Sequence, residues 1–145
     1  MADHAKVSPV SVTVERRIAA SPEIVFDAWL EPEGVGKWLF ATPDGLMEEV
    51  EIDPRVGGGF RIVERRGDAL AEHYGEYVAL DRPRRLAFDF WTSFSAERTR
   101  VTISIEPDGD GALVTLRHDG VWADYEERTQ KGWNMMLGNL AKALA

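Results

Sequence analysis

Near the start of the chain Val10, Val12 and Val14 alternate with Ser11, Thr13 and Glu15, the period of two that a half-buried strand requires. Ser21-Pro22-Glu23 follows with an N-cap residue, a proline at the first helical position and an acid in the first turn. Ile24, Val25, Ala28 and Trp29 then recur at helical spacing, and Pro32 and Gly34 stop the helix. Residues 35–40 predict a further short turn carrying Trp38 and Phe40.

From Leu46 the period returns to two. Glu48, Val50 and Ile52 alternate with Glu49, Glu51 and Asp53, and after Gly57-Gly58-Gly59 come FRIVER, HYGEYVAL, RLAFDFW, RVTISIE and ALVTLRH. Turn residues such as Asp81-Arg82-Pro83 or Asp108-Gly109-Asp110-Gly111 separate these runs, and connections this short imply antiparallel neighbours. The helical period resumes from about Tyr125. Trp133, Leu137, Leu140 and Leu144 form its apolar stripe with Met136 beside them, whereas Lys131, Asn134 and Lys142 fall away from it. One strand, a helical segment, about five or six more strands and a long terminal helix make an α+β fold, in which the helix covers the apolar face of a single antiparallel sheet.

Parity selects the residues that face this helix. In RLAFDFW the inward set is Leu86, Phe88 and Phe90, because Asp89 marks its own face, shared with Ala87 and Trp91, as outward. The same rule points Phe60 and Ile62 inward opposite Arg61 and Arg65, then Val101, Ile103 and Ile105, then Val114, Leu116 and His118. HYGEYVAL leaves two choices, Tyr74, Glu76 and Val78 or His73, Gly75 and Tyr77. Glu48 and Glu64 share the inward parity of their strands, where desolvation would raise a carboxylate's pKa.

Composition narrows the classes. A chain of 145 residues, 44% hydrophobic, is the length of one domain over residues 1–145, with residues 1–8 as a flexible tail. No cysteine is present, which removes disulfides, thiolate metal sites and cysteine nucleophiles. The formal charge of −8 repels phosphate backbones and anionic lipid, so no nucleic acid partner is expected, and the Arg16-Arg17, Arg65-Arg66 and Arg84-Arg85 pairs read as solvated strand faces and ends. No apolar run approaches the ~20 residues of a membrane span, and MADHAKVSPV lacks the regions of a signal peptide, so a cytoplasmic protein without membrane insertion is expected. A homodimer is the default assembly, two-fold dimers being the commonest.

Chemistry is sparse. His118 beside Asp119 has the composition of a general base and its partner, but neighbours on a strand point to opposite faces, so His118 is expected to line a wall or cap a loop. His73, Tyr74 and Tyr77 offer hydrogen bonds to a ligand's polar end or form a cluster at the sheet edge. The triple glycine lacks the Lys-Ser/Thr of a phosphate loop and leads into a strand, which makes it a sharp turn. Three histidines, one at position 4, do not compose a zinc site, and no cofactor is expected.

Five segments in order, SPEIVFDAWLEPEGVGKWLF, VGGGFRI, GEYVALDRPRRLAFDFW, DGDGALVTLRHDG and GWNMMLGNL, together resemble the START-like superfamily (SRPBCC, birch-pollen-allergen-like). Within it the chain is most similar to bacterial proteins related to the C-terminal domain of activators of the heat-shock-protein-90 ATPase, from about Val10 to Leu144. The resemblance implies a helix-grip fold: a bent antiparallel sheet of about 6–7 strands around the long C-terminal helix, with two short helices closing one end. It also implies an apolar cavity between helix and sheet that binds a hydrophobic small molecule. The residues expected to line it are Trp133, Met136, Leu137 and Leu140 on the helix and Trp38, Phe40 and Trp122 near its ends. On the sheet they are Phe60, Ile62, Tyr77, Phe88, Phe90, Val101, Ile103, Leu116 and His118. A chaperone-related interaction module and an enzyme of the cyclase or hydratase kind are the alternatives. Full-length chaperone activators carry an additional N-terminal domain that this sequence lacks, which weighs against a direct co-chaperone role.

Overall fold

The computed structural model describes residues 9–145, so the tail expected over residues 1–8 lies outside the described residues. Strand β1 (Pro9–Ile18) leads to two short helices, α1 (Pro22–Ala28) and α2 (Pro32–Val35). Six further strands follow: β2 (Leu46–Ile52), β3 (Gly59–Arg66), β4 (Ala69–Asp81), β5 (Arg85–Thr92), β6 (Ser95–Asp108) and β7 (Gly111–Trp122). A single 3₁₀ turn (Ala123–Tyr125) then opens into α3 (Glu126–Ala143). The strands form one antiparallel sheet in the order β1-β7-β6-β5-β4-β3-β2, curved around α3 in a helix-grip arrangement.

Local chemistry explains the helix ends. Ser21 caps α1, its Oγ accepting the Ile24 N–H at 3.3 Å, with Pro22 in the first turn. Ile24 is exposed, however, and Val25 and Phe26 are the buried pair, because a seven-residue helix presents little more than one face to the core. Pro32 does more than stop α1: it sits in the first turn of α2, where its fixed φ is favourable. Along α3 the expected stripe is buried at Trp133, Met136, Leu137 and Leu140, and Leu144 is partly buried. Met135 faces solvent.

The concave face of the sheet carries the expected set. Ile62, Leu86, Phe88, Val101, Ile103, Ile105, Val114 and Leu116 are all at most 2% exposed. The choice left open in β4 falls on His73, Gly75 and Tyr77, which are buried, while Tyr74 and Glu76 lie on the convex side. Gly75 is required there: a Cβ at this position would lie 2.0 Å from the Phe60 ring, which rests against the bare backbone.

Two positions depart from simple alternation. The β2–β3 register shifts between Met47 and Glu49, and this irregularity turns Glu48 out to solvent, although its parity is that of Val50. Glu64 is buried at 1% exposure. On the convex face Val63 is also buried. Its register partners Glu49 and Glu72 both bind Arg61, and this ion triad closes over it. Ala87 is buried on that face as well, between its register partners Ala79 and Thr102.

Candidate functional site

Around Trp133 the space between α3 and the sheet is filled by rings, and further along by aliphatic side chains. Phe40 is the central ring. Its backbone holds φ at +57°, a left-handed conformation uncommon outside glycine, and this aims the ring inward from the loop after α2. There it stacks on His73 with centroids 4.3 Å apart and on Phe90 at 5.1 Å, and it touches Trp133 and Phe60 at 5.9 and 6.0 Å. Contacts on several sides hold it there. The Phe40 N–H donates to Met136 Sδ at 3.1 Å, and Arg66 Nη2 donates to the Phe40 carbonyl. Glu64, buried behind the same loop, accepts from the Thr42 N–H at 2.7 Å, from Thr42 Oγ1 at 3.0 Å and from Arg66 Nε at 2.6 Å. Glu64 is thus a paired loop anchor.

Beyond this plug a pocket of about 340 Å³ remains at the head of α3, open to solvent on one side. Phe90, Val121 and Trp122 form apolar walls, Thr99 and His118 its polar wall, and Tyr125, Arg128, Thr129 and Glu97 its rim, with Trp91 bordering it while its ring stacks on Tyr74. Two irregularities shape it. Gly120, at φ +88°, is the extra residue where the β1–β7 register shifts, and the β5–β6 register shifts between Phe90 and Thr92. Bulges of this kind bend strands and re-aim side chains.

His118 is held at both nitrogens. Trp133 Nε1 donates to Nδ1 at 3.1 Å, and Nε2 lies 2.6 Å from Thr99 Oγ1, which in turn donates to the Phe90 carbonyl at 3.3 Å. Burial pulls the imidazole down to about 4, against the opposing pull of the Asp119 charge. Asp119 itself points to the other face, where Ser11 and Arg117 bind it and hold its carboxyl below the usual range. His73 is likewise brought to about 4 by burial, although Nδ1 donates to the Ile62 carbonyl at 3.2 Å.

Of the residues expected to line a cavity, Phe90, His118 and Trp122 line this pocket. Trp38 and Leu140 border a second depression of about 290 Å³ between α1, α2 and the end of α3, and Phe60 borders a groove beside Gly75. Phe40, Ile62, Tyr77, Phe88, Val101, Ile103, Leu116, Trp133, Met136 and Leu137 are packed in the core. Residues not anticipated had a readable signal in two cases. Thr99 extends the Val101–Ile103 parity by one step, and Thr129 extends the α3 stripe one turn before Trp133. Among the described residues no helix is long and apolar enough to cross a membrane.

A curved seven-stranded antiparallel sheet gripping a C-terminal helix, with a pocket at the helix head, defines the helix-grip class. Within that class the chain belongs to the Activator of Hsp90 ATPase homolog 1-like protein family, whose model matches residues 19–145. Among solved structures it is similar to protein CV1439 from Chromobacterium violaceum, at 25% identity and a TM-score of 0.85, over 94% of this chain and 98% of that one. It is also similar to the AHSA1-like protein from Aeromonas hydrophila, at 23% identity and a TM-score of 0.81, over 92% and 91% of the two chains. DynU16, of the dynemicin biosynthetic locus, matches at 18% identity and a TM-score of 0.76, over 92% of this chain and 46% of its own. A comparison with curated proteins finds no match.

Proposed function

We propose that the protein binds a small, largely apolar molecule in the pocket at the head of α3. The observation that carries this reading is the pocket itself: about 340 Å³, walled by aromatic and aliphatic side chains, with one fixed polar group of His118 and Thr99 in its wall. Ligand sites typically span ~300–1,000 Å³ and combine apolar walls with a few placed polar groups. The fold is one in which such binding is common, and the helix head is the space this reading assigns to the ligand.

His118 acts here as a wall group. With Trp133 occupying Nδ1 and Thr99 facing Nε2, no ring nitrogen is left to take a proton from a bound molecule. His118 is therefore expected to hold a ligand and not to act as its base.

Native mass spectrometry of protein purified gently from its own host tests the reading. A stoichiometric small molecule is expected on the wild type and not on Thr129→Trp, which fills the pocket from the helix side. A chain that flies empty, and that no apolar compound stabilises against heat, overturns it.

A second reading, as a chaperone-related interaction module, draws on an exposed row in which Leu46 and Leu70 flank Arg65 in register. Stimulation of a chaperone ATPase, lost in Leu46→Glu/Leu70→Glu, would support it.

A further inference from the structure

The hydrogen bonds in the pocket wall run in one direction. An indole N–H only donates, so His118 Nδ1, 3.1 Å from Trp133 Nε1, presents its lone pair. The neutral ring then carries its proton on Nε2, which donates to Thr99 Oγ1 at 2.6 Å. Thr99 in turn passes its single hydroxyl proton to the Phe90 carbonyl at 3.3 Å, on the register partner directly opposite. A hydroxyl oxygen has two lone pairs, and His118 uses one. What Thr99 offers the pocket is the other.

The rest of the rim is mixed, with N–H donors on Arg128 and a hydroxyl on Tyr125, so the acceptor that the fold fixes in place is the one at Thr99. Glu97 adds a carboxylate, which only accepts, and Arg128 lays its guanidinium over the Tyr125 ring at 5.3 Å. The formal charge of −8 disfavours anionic ligands.

We infer that the pocket selects an aromatic or otherwise apolar ligand carrying a hydrogen-bond donor, above all a hydroxyl, and that Thr99 is the residue accepting it. This rests on the binding reading above. Trp133 and His118 are positioning residues: they fix which way Thr99 points its proton. A ligand ending in an ether or carboxylate meets a lone pair at that point and leaves the Thr99 oxygen unsatisfied.

Isothermal calorimetry with 2-naphthol, 2-methoxynaphthalene, 2-naphthoate and naphthalene separates the possibilities. The wild type is expected to bind 2-naphthol about tenfold more tightly than 2-methoxynaphthalene, the worth of one hydrogen bond. Thr99→Val should bring the two to within about twofold, with a cooperative thermal transition showing that the variant is folded, and Thr99→Ser should restore the preference. Equal binding of naphthol and its methyl ether by the wild type, tighter binding of naphthoate, or a preference that survives Thr99→Val overturns the inference while binding itself stands. If none of the four probes binds, the inference falls, and the native mass spectrum decides separately whether the binding reading falls with it.

Discussion

His73 and His118 are neutral because they are buried, and neutrality has a cost in acid. Both fold with an imidazole pulled to about 4, whereas the unfolded chain takes up protons near 6.5. The native state therefore binds fewer protons below 6.5, so stability is intact above that pH and falls as the pH drops toward 4. Urea unfolding at pH 7.5 and 5.5 should show a loss of about 1 kcal/mol per histidine from this source. His118 has an added reason: a protonated ring would set Nδ1–H against the Trp133 N–H. Phe40 supports the aromatic packing, and Phe40→Ala should lower the unfolding free energy by about 3–5 kcal/mol. Gly75→Ala forces a methyl into the Phe60 ring and should cost about 1–3 kcal/mol by the same assay. These residues differ in how plainly the sequence announces them. Parity put His118 and Glu64 on the inner face, since the alternation of β7 holds up to His118 and Glu64 continues the step from Phe60 to Ile62. The left-handed turn at Phe40 has no signature, because phenylalanine has no preference for that conformation.

Strands and helices were legible where the period was long enough to fix a face. RLAFDFW and RVTISIE hold alternating faces set by an acid or an arginine, and α3 repeats its stripe over several turns. The Ser21-Pro22-Glu23 start of α1 was equally clear, and Ser21→Ala should lower stability by about 1 kcal/mol in thermal or urea unfolding. What period two does not contain is where it is interrupted. Glu48 faces outward and Gly120 turns β7 because of register shifts, which depend on the partner strand as much as on local residues. The pocket lies between two such interruptions, and this is why its wall was harder to read than the core. Phe90 and Trp122, bulky residues near strand ends, were found. Arg128 and Tyr125 were not, since nothing in their spacing distinguishes a rim from an ordinary solvated turn.

At the scale of the whole molecule, the aromatic residues divide the chain between filling and receiving. Phe40 and its neighbours occupy the middle of the grip, and the helix head keeps the remaining space. The same division runs through the five tryptophans. Trp29, Trp38 and Trp133 form one buried cluster, with Trp29 4.6 Å from Trp38 and 6.5 Å from Trp133, centroid to centroid. Trp122 instead lines the pocket, and Trp91 stacks on Tyr74 beneath Arg98 on the convex side; both are partly exposed. Indole emission depends on contact with water, so the protein carries two optical populations: a blue-shifted one that reports the core and a red-shifted one in which Trp122 reports the pocket. A ligand entering at the head of α3 should quench or shift the red population and leave the blue one untouched, whereas loss of the fold would move both, so the chain's own light distinguishes occupancy from unfolding.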